Sequence, residues 1–586
     1  MLKLFRKFKK KDIALILVAI VFVFVTVWAE LSMPEYMSEI TVLVQTEGSK
    51  MSEILTAGGK MLLYALGSLG ASIIVSICAS RLSASFGATL RKDLFHQVQT
   101  FSMAEIGQFS TASLITRTTN DVTQIQMLIV LGLQMLIKAP VMAVWAIIKI
   151  SNKAWAWTFS TGIAVIILLC VVFICIGLAT PKFKKLQRLT DNLNRVTREN
   201  LTGLHVVRAY NAEDYQKNKF ERANKEMTDT TLFAQRTMAF LMPSVQAVMN
   251  GLSLAVYWVG AYLISSALMA DKLTLFSDMV VFSQYALMVV MAFMMLVMIF
   301  MLLPRALVAA GRINEVLGVE PGIQDGTAAD GEKDMDGTVE FRDVSFRYPD
   351  ADEDMLSHIS FKAQKSETVA LIGATGCGKS TVINLIPRFY DATDGQVLVD
   401  GRNVREYSQK ALRDKIGYVS QKATLFTGTI ASNVAYGDNG KETPGRETIR
   451  NAVSTAQATE FVEKMEDTYD GYVAQGGENL SGGQKQRISI ARAITRKPEI
   501  LIFDDSFSAL DYKTDRILRK ALDENCGDTT RIIVAQRIGT IRDADRIIVL
   551  EDGKIAGMGR HDELMKDCET YRTIALSQLS KEELAS

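Results

Sequence analysis

Six long apolar segments in the N-terminal half constrain the fold more than any other feature of this chain. A bilayer core of about 30 Å is crossed by about 20 helical residues, and each segment reaches that length. Because every backbone polar group in lipid must be paired within its own segment, such runs predict helices. The predicted spans are approximately 12–33, 58–80, 128–150, 155–180, 239–269 and 276–303.

Two alternatives compete with a transmembrane domain over residues 1–304. Residues 1–11 are basic and precede an apolar run, which is also the pattern of a signal peptide. That run lacks an evident A-x-A site, and five more apolar segments follow it. The other alternative is a large buried all-helical core. We expect the membrane-spanning arrangement, in contact with membrane lipid.

Charge and cysteine content exclude two further classes of protein. The formal net charge is +1 over 586 residues, which does not suggest a nucleic-acid partner. None of the six cysteines falls in a predicted external loop. An extracellular disulfide framework is therefore not expected.

Lys and Arg in the connections predict the orientation of the spans. The basic N-terminus and the long connections 81–127 and 181–238 are expected inside, whereas 32–50 and 269–276 read as external loops. Both termini are then cytoplasmic. The chain is predicted to lie in the plasma membrane of a bacterium and to cross it several times.

The two long internal connections have helical spacing and few Gly or Pro, so the spans are expected to continue as helices past the membrane. Near their far ends lie "FSMAEIG" (101–107) and "RAYNAEDYQ" (208–216). These two segments are predicted to be short helices that touch a soluble domain.

The pattern changes after the last span. Residues 305–337 are rich in Gly and acids without periodicity, which predicts a linker. Residues 338–582 alternate short β-type runs with helical stretches, which predicts an α/β domain. The predicted strands are "TVEFRDVSFRY", "TVALIG", "QVLVD", "KIGYVS", "EILIFDD", "RIIVAQ" and "RIIVL".

"GATGCGKST", residues 373–381, matches the phosphate-binding loop G-x-x-x-x-G-K-[ST] and lies between a predicted strand and an apolar helix. Its glycines let backbone N–H groups face phosphate oxygens, Lys379 supplies a cation, and Ser380 would ligate Mg²⁺. The sequence therefore predicts ATP and Mg²⁺ as cofactors. The candidate binding residues are Gly373, Thr375, Gly376, Cys377, Gly378, Lys379, Ser380 and Thr381.

Two further motifs complete the predicted site. In "LIFDD", Asp504 would hold Mg²⁺ through water, and Asp505 would orient or deprotonate the attacking water. In "LSGGQ", Ser481, Gly482, Gly483 and Gln484 open a helix, another arrangement that binds anions. One nucleotide already has its phosphate loop, so this second anion site needs a different nucleotide.

Taken together, these motifs resemble those of an ATP-binding cassette (ABC) exporter half-transporter, and the resemblance covers nearly the whole chain. It implies a six-helix transmembrane domain of the domain-swapped exporter fold, fused to an α/β nucleotide-binding domain. In that family the "LSGGQ" signature closes over ATP held by the other cassette of a dimer. A second half-transporter chain is therefore an implied partner.

The resemblance assigns roles to further residues. Tyr348 stands where an aromatic side chain stacks on adenine, and Gln421 matches the glutamine that contacts Mg²⁺ and the membrane domain. Residues 476–479 match a cross-talk segment, and 508–511 match a loop that crosses the dimer interface. "FSMAEIG" and "RAYNAED" resemble the two coupling helices, the second of which docks on the partner's cassette.

Two positions depart from the family pattern: Asp505 replaces the catalytic Glu, and Gln536 replaces the switch His. General-base assistance is worth about 10²–10⁴-fold, so the chain's own site is expected to hydrolyse ATP weakly. The intact signature would serve a partner that carries Glu and His. A slow homodimeric exporter and a non-transporting ATP-sensing regulator remain alternatives.

The spans suggest the cargo. Met288, Met291, Met295 and Met298 share one face of the sixth span, and Met suits walls that accept varied apolar ligands. Alternatively, these methionines face lipid or fill space between packed helices. Lys138, in the third span, is a functional candidate that could instead pair with an acid or reach an interface. Few charges in the spans favour a hydrophobic or amphipathic compound as substrate, with lipid or peptide as alternatives.

Overall fold

The computed structural model describes residues 2–46, 48–151, 155–437 and 442–578. The chain divides into two compact units. The helical unit comprises Met1–Val98 and Thr111–Gly318, and the α/β unit comprises Gln99–Ser110 and Val319–Ser586. The predicted end of the α/β domain, residue 582, lies outside the described residues.

The helical unit is built from long helices with short connections. The long helices are Lys10–Gln45, Met51–Gln99, Val122–Leu131, Lys138–Ser151, Trp155–Thr202, Glu213–Ala239, Leu241–Ser266 and Met269–Leu317. The short α-helices are Leu2–Phe5, Thr111–Thr116 and Leu204–Ala209, and π turns occupy Arg117–Asp121 and Gly132–Leu136.

Six helical stretches in the described part of the chain are long and apolar enough to cross a membrane, and five of them contain one predicted span completely. The fifth predicted span, 239–269, runs past the end of its stretch at Ser266 into the start of the next helix at Met269. The second to fifth stretches continue past a bilayer, as predicted for these four spans. The helix Met51–Gln99 has 49 residues, a length of about 70 Å at the usual rise per residue.

Three segments predicted to be loops are helical instead. The first helix continues through Pro34 to Gln45, so most of the predicted loop 32–50 is helix. The last helix, Met269–Leu317, includes the predicted loop 269–276 and the first part of the predicted linker. Hydropathy shows where a helix leaves lipid and does not show where the helix ends.

Large aromatic side chains are buried in the core of the helical unit. Trp157 is fully buried, packs against Phe282 at a ring-centroid distance of 5.5 Å, and donates its indole N–H to the Val256 carbonyl. Tyr285, also buried, donates its hydroxyl to the Leu31 carbonyl at 2.8 Å. Each buried polar tip has a partner, as burial in an apolar core requires.

The described part of the α/β unit contains twelve strands. They are β1 Val339–Phe346, β2 Leu356–Ala363, β3 Thr368–Gly373, β4 Asp394–Val399, β5 Arg402–Asn403, β6 Ile416–Val419, β7 Gly428–Thr429, β8 Tyr472–Val473, β9 Ile500–Asp504, β10 Thr530–Val534, β11 Arg546–Glu551 and β12 Lys554–Gly559. All seven predicted strands are present among them, and β2, β5, β7, β8 and β12 were not predicted.

The strands form two larger sheets and one short pair. The central sheet has the order β12-β11-β3-β10-β9-β6 and is parallel except for the β11–β12 pair. An antiparallel sheet has the order β2-β1-β4-β5, and β7 pairs with β8.

Helices cover the sheets of this unit. The α-helices are Met103–Gln108, Lys379–Leu385, Gln409–Asp414, Ile430–Val434, Arg446–Thr455, Thr459–Val462, Gly482–Thr495, Tyr512–Asn525, Ile538–Ile541, His561–Asp567 and Glu569–Gln578. Short 3₁₀ turns lie at Thr468–Asp470 and Gln475–Gly477.

The second part of the predicted linker is docked on the α/β unit rather than free. The amides of Gly326 and Ala328 donate to the carbonyls of Tyr407 and Glu406, each at 2.9 Å. Further along, the amide of Glu332 donates to the Asp400 carbonyl at 2.8 Å. The Gly- and acid-rich composition therefore did not indicate that this segment is hydrogen-bonded along much of its length.

The two predicted short helices have different outcomes. The segment 101–107 forms the helix Met103–Gln108, whose N-cap is Ser102, and it groups with the α/β unit. The segment 208–216 is not one helix, because Asn211 adopts a left-handed conformation (φ 49°) between Leu204–Ala209 and Glu213–Ala239. Asn tolerates this conformation better than most residues, so the chain turns there.

Candidate functional site

Four parallel strands of the central sheet end at one edge, where ligands of open α/β sheets bind. The loops that follow these ends carry the predicted phosphate loop, Gln421, the two acids and Gln536. The last residues of β3, β6, β9 and β10 are Gly373, Val419, Asp504 and Val534.

The phosphate loop has the backbone that its glycines predict. It runs from Gly373 through Thr375, Gly376 and Cys377 to Gly378, which is the N-cap of the helix Lys379–Leu385. Gly378 has φ 97°, and a Cβ there would lie 2.6 Å from Leu356 Cδ2. A side chain at this position would be both strained and obstructed.

Lys379 is a buried cation, 8% exposed, with its Nζ held at the centre of this loop. The ammonium donates to the carbonyls of Gly373 at 2.8 Å and Ala374 at 2.7 Å, and lies 3.6 Å from Cys377 Sγ. The loop glycines and this cation together form a cradle suited to phosphate.

Ser380 and Asp504 meet beside the phosphate loop. Ser380 Oγ donates to Asp504 Oδ1 at 2.9 Å, and Tyr418 donates to Asp504 Oδ2 at 3.4 Å. Burial raises the pKa of the Asp504 carboxyl, and these hydrogen bonds oppose the shift. Hydroxyl and carboxylate oxygens form the hard donor set that Mg²⁺ prefers, so these residues fit the predicted ion.

Asp505 follows in a strained conformation, with φ 45°. Its Oδ2 accepts a hydrogen bond from Gln536 Nε2 at 3.0 Å and another from Gln421 Nε2 at 3.3 Å. Burial raises the pKa of the Asp505 carboxyl despite the Gln421 contact. The three residues predicted to take part in hydrolysis therefore form one cluster, organised around a single carboxylate oxygen.

Tyr348 lies near the same site. Its hydroxyl is 2.9 Å from Thr381 Oγ1, and its ring packs edge-on against Tyr390 and Phe346. The ring is half-buried, and its hydroxyl reaches the first turn of the helix that follows the phosphate loop. Stacking on adenine stays a prediction.

The signature segment lies apart from this cluster. Ser481 caps the helix Gly482–Thr495: its Oγ accepts from the Gln484 amide at 3.3 Å, and Gln484 Oε1 accepts from the Ser481 amide at 2.8 Å. Among the described residues, no hydrogen bond or ion pair joins Ser481–Gln484 to the phosphate loop. The exposed N-terminus of this 14-residue helix is free to face an anion from elsewhere.

Sequence reasoning missed two residues that organise this site. Tyr418 contacts both Asn384 and Asp504, and its position on the strand that precedes Gln421 was the available signal. Gln578, near the C-terminus, donates to the Gln536 carbonyl at 2.7 Å and accepts from the Ile538 amide at 2.9 Å. No sequence signal points to this distant residue.

In the helical unit, two of the four methionines on the predicted face are exposed to a large extent. The stretch that contains them is nevertheless the most buried of the six described stretches. Met291 and Met298 are 43% and 45% exposed, and Met288 and Met295 are half-buried. Val289, Val290 and Val297, on the other faces, are buried. The methionines therefore form a stripe in which Met288 packs against the core of the helical unit, while Met291 and Met298 remain exposed.

Lys138 is paired with an acid, one of the alternatives for this residue. Its Nζ lies 2.8 Å from Glu30 Oε1, and both side chains are about one-fifth exposed. Ser68 also donates to Glu30 Oε1, at 3.4 Å. The ion pair neutralises two charges that would otherwise be costly within a membrane-spanning stretch.

Replacing Lys138 with Met is expected to lower the stability of the protein by about 2 kcal/mol, because Glu30 would keep a partly buried charge without its cation. The thermal unfolding midpoint of the purified protein measures this effect. Lys149→Met is the matched control, since its pair with Glu35 is more exposed and such pairs contribute little. Equal midpoints for the two variants would contradict the prediction.

The comparisons with known proteins agree with this architecture. Residues 16–293 match the ABC transporter transmembrane region, and residues 356–508 match the ABC transporter domain. An uncharacterised ABC transporter ATP-binding protein of Mycobacterium tuberculosis is 39% identical over 518 residues, 88% of each chain. One of Bacillus subtilis is 37% identical over 517 residues, again 88% of each chain.

Two other similarities are informative. The ATP-dependent lipid A-core flippase of Vibrio vulnificus is 32% identical over 505 residues, 85% of this chain and 84% of the flippase. A solved structure of a bacterial Atm1-family ABC exporter with ATP bound superposes with a TM-score of 0.80. It covers 98% of this chain and 100% of its own at 24% identity, so it shows the fold alone.

One six-span unit joined to one ATP-binding cassette defines the half-transporter class. The chain belongs to the ABC transporter family, as an exporter half-transporter with the Atm1-family fold. It is a multi-pass membrane protein whose cassette binds ATP, normally with Mg²⁺, and couples ATP hydrolysis to transport. Half-transporters of this family typically dimerise.

Proposed function

We propose that this chain is the ATP-retaining, weakly hydrolytic subunit of a two-chain exporter for hydrophobic or amphipathic compounds. In this proposal its own phosphate loop holds ATP for long periods. Its signature, Ser481–Gln484, completes the faster site on a partner chain that carries the catalytic Glu and the switch His. The exporter lies in the plasma membrane of a bacterium, with both termini in the cytoplasm.

The environment of Asp505 carries this proposal. Both groups that donate to its Oδ2 are neutral amides, from Gln421 and Gln536. Neither amide can become positively charged, and both occupy the carboxylate oxygen that would have to take a proton from water. Asp is also one methylene shorter than Glu, which sets its carboxylate farther from a nucleotide in the phosphate loop.

The methionine stripe supports the proposed cargo. Four thioethers at helical spacing offer a flexible, polarizable surface, and two of the side chains are more than two-fifths exposed. A second chain facing this stripe would enclose an apolar cavity between the two. Lipid is the alternative cargo, favoured by the similarity to the lipid A-core flippase of Vibrio vulnificus.

The test is to purify this chain alone and together with a six-span cassette chain of the same bacterium that carries the catalytic Glu and the switch His, and to measure phosphate release from ATP. We expect the chain alone to bind ATP but to turn over about 10²-fold more slowly than the two-chain complex. Rapid turnover by the chain alone would instead support the homodimeric exporter. ATP binding by a complex that moves no lipid or dye into vesicles would support the regulator.

A further inference from the structure

The helix Met103–Gln108 is tied to a distant part of the chain within the α/β unit. Glu105 and Gly322 are 217 positions apart, and Glu105 Oε1 accepts a hydrogen bond from the Gly322 amide at 3.1 Å. The other carboxylate oxygen, Oε2, accepts from the Ser102 amide at 2.7 Å. One side chain therefore caps its own helix and holds the segment that follows the last membrane-spanning helix.

This contact is buried and leaves little space beside Gly322. The Glu105 residue is 7% exposed, so its carboxylate depends on these backbone donors in place of water. A Cβ at position 322 would lie 2.8 Å from Glu105 Oε1, closer than ordinary contact permits. An Ala side chain at position 322 would therefore push the Glu105 carboxylate away from the Gly322 amide.

The held segment also contacts a residue that follows the helix Lys379–Leu385. Two residues beyond Gly322, the carbonyl of Gln324 accepts from Arg388 Nη1 at 3.0 Å. Arg388 is 5% exposed, and its guanidinium also forms a two-point contact with Asp391 at 2.8 and 3.2 Å. Such a fork fixes both position and orientation.

Arg388 itself is fixed relative to the phosphate loop. It lies three residues after the helix Lys379–Leu385, and its amide donates to the Leu385 carbonyl at 3.2 Å. The first residue of that helix, Lys379, is the cation of the phosphate loop. A continuous set of contacts therefore runs from the loop, along one short helix, to residues 322–324 and then to Glu105.

We propose that these contacts form a coupling route which bypasses Gln421 and carries the effect of nucleotide binding to the helix Met103–Gln108. Glu105, Gly322 and Arg388 act in it as positioning residues. When ATP orders the phosphate loop and the helix Lys379–Leu385, Arg388 holds the segment 322–324, and Glu105 tightens against it. The route lies within one chain, so it does not depend on the proposed division of labour between two chains.

Hydrogen exchange of residues 102–109 in the purified full-length transporter tests this route without a cargo. Adding AMP-PNP with Mg²⁺ is expected to slow exchange there by about tenfold, within the usual range of coupling between sites. In Gly322→Ala the slowing should fall below about twofold, while affinity for the fluorescent analogue TNP-ATP stays within about twofold of wild type. Arg388→Lys, which cannot form the fork, should have the same effect.

Two matched variants separate coupling from folding. Gly107→Ala lies in the same helix with nothing within 4 Å of its new Cβ, so it should keep the full nucleotide response. Glu105→Gln keeps the helix cap, because Gln serves at that position too, but it cannot satisfy both amides. Combined with Gly322→Ala, it should add no further loss.

Three results would overturn the proposal. The first is a wild-type protein whose residues 102–109 do not respond to nucleotide, and the second is a full response in Gly322→Ala. The third is a loss of TNP-ATP affinity in Gly322→Ala as large as its loss of response, which would assign both effects to damage in the phosphate loop.

Discussion

Replacing Asp505 with Glu and Gln536 with His in the same chain is expected to raise ATP turnover at its own site by about 10²–10⁴-fold. The reason is the cluster around Asp505 Oδ2, in which both side-chain donors are neutral amides. The Glu side chain adds the missing methylene and brings a carboxylate closer to the attacking water. The His side chain can carry a positive charge that a Gln amide cannot.

The gain should require both changes, since the two side chains contact each other and act as a unit. Phosphate release by the single and double variants, in the chain purified alone, measures this directly. Asp562→Glu adds the same methylene at an exposed helix start and should leave turnover unchanged. A double variant no faster than wild type would show that Asp505 and Gln536 do not limit hydrolysis.

Substituting Asp for Gly482 is expected to lower ATP turnover of the two-chain complex by about 10²-fold or more, comparable to the loss of a key charge-stabilising group. The position can accept a side chain, because a Cβ there meets nothing within 4 Å. A carboxylate at the start of a helix also does not weaken that helix. The new charge would, however, repel the phosphates that the proposal places against this end.

The control for this variant is Gly445→Asp. Gly445 is the N-cap of the helix Arg446–Thr455, and a Cβ there is equally unobstructed. The same charge at a similar helix end should leave turnover within about twofold of wild type, as for most exposed substitutions. If Gly482→Asp were equally harmless in the complex, the signature of this chain would not be serving the partner's site.

The sequence was most informative where one physical requirement dominates. Burial in lipid requires long apolar helices, so all six stretches were predictable, and phosphate binding requires Gly378 and Lys379 at fixed spacing. Gly378 and Lys379 lie at the same edge of the sheet as Asp505 and Gln536, because the parallel strands that precede these residues all end at that edge. Each of these inferences depends on a rule that holds without knowledge of distant contacts.

The rest depended on contacts that sequence cannot reveal. The helix ends at Gln45 and Leu317 lie beyond the hydrophobic runs, where polarity alone does not separate a helix from a loop. The residues after Leu317 are rich in Gly and acids, and this composition predicts a flexible linker. In the structure, Gly322 instead lies against the Glu105 carboxylate, and the backbone at Gly326 approaches the Glu406 carbonyl too closely to admit a Cβ.

The docked segment sets where this cassette can be cut from the rest of the chain. A fragment beginning at residue 338, the predicted domain start, would lose the Gly337 amide that donates to Asp400 Oδ1 at 2.7 Å. It would also lose the ion pair of Asp330 with Lys415. Excision upstream of Val319 would keep both, together with the amide contacts of Gly326 and Ala328. A fragment that keeps all these contacts carries about twenty residues ahead of its first strand, a modest extension on the scale of a domain.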